Sequence, residues 1–177
     1  QLASCEHAMG HRALAEDRSR EALAIFLEIR DLASEGDCRV TLGRILMDPD
    51  NPEEALKMLE AGQELCATVG RRIFEGLALL ELGLARTTMG ALQEAQAHLE
   101  RASELFGGID SLHLWRSELG LAQLALAQGD RPRAATHARR AAQLVDILRS
   151  RLGHALDHEA FDRSVNEVRD ILAAVLR

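Results

Sequence analysis

The sequence predicts an all-α fold: a right-handed superhelix of about four antiparallel helix pairs, closed by a C-terminal capping helix. Three observations predict it. Ala and Leu dominate the composition, and β-branched residues never gather into strand-like runs. A skeleton of small residues recurs at fixed offsets. Polar or helix-breaking stretches separate the segments that carry this skeleton.

The skeleton is clearest in three segments. Leu42-Gly43 is followed by Ala55, Leu59 and Gly62; Leu82-Gly83 by Ala95, Leu99 and Ala102; Leu121-Ala122 by Ala134, Ala138 and Ala141. Counted from the small residue of each opening pair, the offsets are 12, 16 and 19 in all three. A fainter copy, Met9-Gly10 with Ala22, Phe26 and Ile29, keeps the offsets but lies only 33 residues before the next. The opening small residue lets two helix backbones approach. Offsets 12, 16 and 19 then mark one inward stripe on the second helix of a pair. The expected breaks within the pairs are Glu16–Ser19, Asp48–Pro52, Met89-Gly90 and Gly129–Pro132. Asn51-Pro52-Glu53-Glu54 reads as an Asn-capped helix start, and Asp130 and Asp110-Ser111 as two more.

This skeleton resembles the tetratricopeptide repeat (TPR), in four copies over roughly Ser4 to Arg149. The family's aromatic positions are mostly Leu or Ala here, its usual Pro after the second helix is absent, and the period near 40 exceeds the family's roughly 34. The long period is similar to that of repeats in bacterial regulators of the LuxR-type ATPase class and in cyclase- and kinase-associated helical domains. The resemblance implies one repeat domain over 1–177, with repeats at about 4–36, 37–70, 71–108 and 109–150 and a C-terminal helix at 157–176. It implies an interaction or sensor module of a larger cytoplasmic regulatory protein, binding another protein or another domain of its own chain, without catalysis and without a cofactor. A small-molecule effector site in the groove is the alternative.

In such stacks the first helix of each pair lines the concave face. The residues expected there are Val40, Arg44 and Met47, then Leu77, Leu80 and Leu84, then Leu119, Gln123 and Leu126. Arg44 alone does not make the Lys/Arg/Asn clamp that family members use for a C-terminal carboxylate. The groove is therefore expected to be apolar and to take a partner helix or peptide, unless the leucines are simply buried between long helices. A seam of Phe161, Val165, Val168, Leu172 and Val175, spaced 4, 3, 4 and 3, suits either a cap on the last pair or a homodimer contact.

Charge and motifs narrow the remaining classes. A formal net charge of −7 argues against general nucleic-acid binding. Arg131, Arg133, Arg139, Arg140, Arg149 and Arg151 form a basic stretch that would suit an acidic partner, with no interleaved aromatics for stacking bases. The alternative for these arginines is a solvated helix face. His7/His11 and His154/His158 have the i, i+4 spacing of zinc ligands, and a zinc hydrolase is the enzymatic alternative; the HExxH glutamate is missing from both pairs. Cys5, Cys38 and Cys66 form no CxxC motif and read as packed thiols, although Cys38 has a basic neighbour in Arg39. No apolar stretch is long enough to span a bilayer.

Overall fold

Asp31 shows how the chain punctuates its helices. Its carboxylate accepts from the Ser34 backbone N–H at 3.1 Å and from the Ser34 hydroxyl at 2.6 Å, capping the helix that follows. Those bonds favour the ionised carboxyl, and the Ser34 hydroxyl is the largest cause holding Asp31 below its ordinary value. Asp130 does the same for the helix that begins at Arg131, accepting from the Arg133 N–H at 3.0 Å, as expected. The Asn51 start differs: the helix begins at Glu53 with Pro52 at the cap position and no side-chain cap bond.

The structure, a computed structural model, describes residues 11–48, 51–107, 111–152, 166, 169–171 and 173. Among these residues the chain forms helices and no strands: α1 Arg12–Ile29, α2 Leu32–Leu46, α3 Glu53–Val69, α4 Arg72–Thr88, α5 Leu92–Gly107, α6 Ser111–Ala127 and α7 Arg131–Leu152. The skeleton's small residues Gly43, Gly83 and Ala122 fall on α2, α4 and α6, and the stripes at offsets 12, 16 and 19 fall on α3, α5 and α7. The chain divides into two compact units, Gln1–Ala85 and Arg86–Arg177. A repeat protein divides readily because each element contacts chiefly its sequence neighbours.

In the first unit α2 packs on α1 and on α3. The α2/α3 crossing is built on glycines. A methyl placed on Gly43 would stand 2.7 Å from Leu59 Cγ and 3.0 Å from the Ala55 carbonyl oxygen; one on Gly62 would stand 2.8 Å from Val40 Cγ2; one on Gly36 would stand 2.9 Å from Cys66 Sγ. In the second unit α6 packs on α5 and α7. Trp115 and Leu119 of α6 meet Ala141, Val145 and Leu148 of α7. Ile171 packs on this cluster and on Ala125, Ala134 and Ala135, at the place a cap on the last pair would occupy. The seam residues Phe161, Val165, Val168, Leu172 and Val175, and with them the homodimer expectation, lie outside the described residues.

The first repeat requires a correction. Glu16–Ser19 is not a break but lies inside α1, which runs unbroken from Arg12. The stretch has no Gly or Pro, and Glu16 pairs with Arg20 one turn on at 3.0 Å. The inward stripe of α1 begins at Ala15 and Ser19, both buried, and continues through Ala22 and Phe26, both half-buried. These match Ala55, Leu59, Gly62 and Cys66 of α3 forty residues on. The first copy therefore starts at Leu2-Ala3, one heptad before Met9-Gly10, and Ala3, Gly43, Gly83 and Ala122 follow one another at 40, 40 and 39 residues.

The same register explains one unusual backbone. Arg30 closes α1 in the left-handed region at φ 56°, and its register mate Gly70 closes α3 at φ 75°. Arginine there carries a steric cost that glycine does not. Arg30→Gly is expected to raise stability in urea melts by about 0.5–1 kcal/mol, the relieved strain being partly offset by glycine's greater freedom in the unfolded chain. A lowered midpoint would contradict the assignment.

Candidate functional site

The second half of α1 and the first half of α2 touch where Cys38 Sγ donates to the Ser19 carbonyl but leave a hollow beside that contact. Between them lies a cleft of about 550 Å³. From α1 it is lined by Arg18, Ser19, Glu21, Ala22, Ile25 and Phe26; α2 contributes Ser34, Asp37, Cys38 and Thr41; Arg71 and Phe74 close one edge. The walls are apolar where the aromatic rings and Ile25 stand. Ile25 is 55% exposed and Ile29, one turn further on the same side of α1, is 62% exposed.

The rim charges are paired. Arg18 meets Glu21 at 3.8 Å, and Arg71 grips Asp37 through two nitrogens, Nε lying 3.0 Å from Oδ1. The Arg71 guanidinium also stacks 5.6 Å from the centre of the Phe74 ring. Most hydroxyls are satisfied locally: Thr41 donates to the Asp37 carbonyl and Ser34 to Asp31. Ser19 differs. It is buried and its Oγ has no hydrogen-bond partner, while its carbonyl accepts from Cys38 Sγ at 3.2 Å.

Neither described thiol is activated. Burial pushes the Cys38 thiol up, outweighing Arg39, and burial together with Asp37 pushes Cys66 up to about 12. Cys5 lies outside the described residues.

A second polar assembly lies in the other unit. Glu118 of α6 is fully buried. Its Oε1 accepts from Ser103 Oγ at 3.1 Å and from Arg140 Nη1 at 3.0 Å, and His137 Nδ1 lies 2.9 Å from Oε2. Serine, histidine and carboxylate come together here, but the hydroxyl donates to the carboxylate and not to the imidazole. The arrangement is an ion-pair lock between helices rather than a nucleophilic relay.

The expected groove residues divide. Val40, Leu77, Leu80 and Leu119 are buried, Leu80 completely, so they do not line an open surface. Val40, Leu80 and Leu119 each stand three positions before the small residue of their repeat. Val40 shows what that position does: it fills the space above Gly62. Arg44, Met47, Leu84, Gln123 and Leu126 are half-buried, and Arg44 pairs with Glu81 at 3.3 Å.

The arginine stretch does not form one patch. At about 100° per residue the six side chains leave α7 on different sides. Arg133 pairs with Glu100 at 2.9 Å and Arg140 with Glu118; Arg131, Arg139, Arg149 and Arg151 are exposed. His11 is exposed, while His7, His154 and His158 lie outside the described residues. Among the described residues no group of three His, Cys, Asp or Glu side chains is placed to hold a metal, and no helix is long and apolar enough to cross a membrane.

The cleft escapes the sequence pattern because its α1 wall belongs to the repeat whose skeleton reads one heptad out of register. Glu118 left a trace: it is the one acid between Leu112 and Ala127.

No family model and no curated protein matches this chain. Solved structures do. A kinesin light chain-like protein of Podosopora anserina, built of nearly identical TPR-like repeats, is 20% identical with a TM-score of 0.64, covering 99% of this chain and 92% of that one. A second crystal structure, of a point-substituted form of that protein, is 21% identical with a TM-score of 0.63, covering 98% and 89%. The likeness is one of fold: this chain is an all-α helical repeat protein of the TPR-like type.

Proposed function

We propose that this chain is a protein-interaction module and that a partner segment docks in the cleft between α1 and α2. One observation carries the reading: Ile25 and Ile29 are exposed one turn apart on α1, and Ile25 lines a cleft whose walls include two phenylalanines. Large apolar side chains grouped beside a concavity mark binding surfaces on soluble proteins. The long repeat period supports a place in a cytoplasmic regulatory protein of the LuxR-type ATPase kind. A second reading, a small-molecule effector site, is favoured by the cleft's volume of about 550 Å³, which suits a small ligand.

Random-peptide display against the folded chain tests the first reading. Selected peptides are expected to lose at least about tenfold in affinity when Ile25 is replaced by Asp. The melting curve of that variant should hardly move, because Ile25 is already more than half exposed. Peptides indifferent to Ile25→Asp would dismiss the cleft as the docking site. A thermal shift with a metabolite, abolished by the same substitution, would favour the effector site.

A further inference from the structure

We draw no further inference here: the strongest candidate, the apolar stretch of the α1/α2 cleft at Ile25, Phe26 and Phe74 beside the buried Ser19 hydroxyl, belongs to the site already described, and nothing among the described residues shows what covers it.

Discussion

Gly43→Leu is expected to destabilise the first unit by about 3 kcal/mol or more, the upper end of what overpacking a tight core costs. The β-carbon alone would lie 2.7 Å from Leu59 Cγ and 3.0 Å from the Ala55 carbonyl oxygen. Leu59 is fully buried and the Ala55 oxygen is helix backbone, so neither yields easily. A leucine at this point in helix α2 would otherwise gain up to about 1 kcal/mol in helix propensity over glycine. The steric term outweighs it. Gly107→Ala is the control, because Gly107 ends its helix with nothing within 4 Å of an added methyl. Urea unfolding of the two variants checks the claim. A Gly43→Leu chain as stable as the parent would mean that α2 and α3 do not cross at Gly43, and the repeat register would fail with them.

The fold was legible because its determinants are local and periodic. Gly43, Ala55 and Leu59 announce a close helix crossing by residue type and spacing alone, and the crossing is where the spacing put it. The same arithmetic misplaced the first repeat, because Met9-Gly10 imitates the opening pair one heptad late. Helical periodicity nearly repeats every seven residues, so an error of one heptad preserves the apolar pattern. Only the unbroken α1 discriminates the two placements.

The binding surface was less legible for a different reason. Apolar residues on a helix state that they must be buried, not by what. Leu77 and Leu80 carry the same sequence signal as Ile25 and Ile29, yet the first two are core and the last two face solvent. What separates them is the presence of a neighbouring helix, a tertiary fact. Paired charges mislead in the same way. The six arginines between Arg131 and Arg151 look like one patch in the sequence, but Arg133 and Arg140 turn toward Glu100 and Glu118 on other helices.

The Glu118 assembly gives the other large effect. Replacing both His137 and Arg140 by Ala is expected to cost about 3 kcal/mol, near the low end for breaking a buried ion pair, since Arg140 is itself well exposed and partly screened. The cost arises from what remains: a carboxylate with no access to solvent and only Ser103 Oγ to donate to it. Adding Glu118→Leu to the double variant removes that charge and should recover more than half of the loss. Glu118→Leu alone should be milder than the double variant, because Arg140 can turn to water and His137 is only partly buried. Denaturant unfolding of the three variants gives the comparison. If the triple variant is no more stable than the double, the cost lay in the packing of His137 and Arg140 rather than in the stranded charge, and Glu118 is not the element that their side chains were holding.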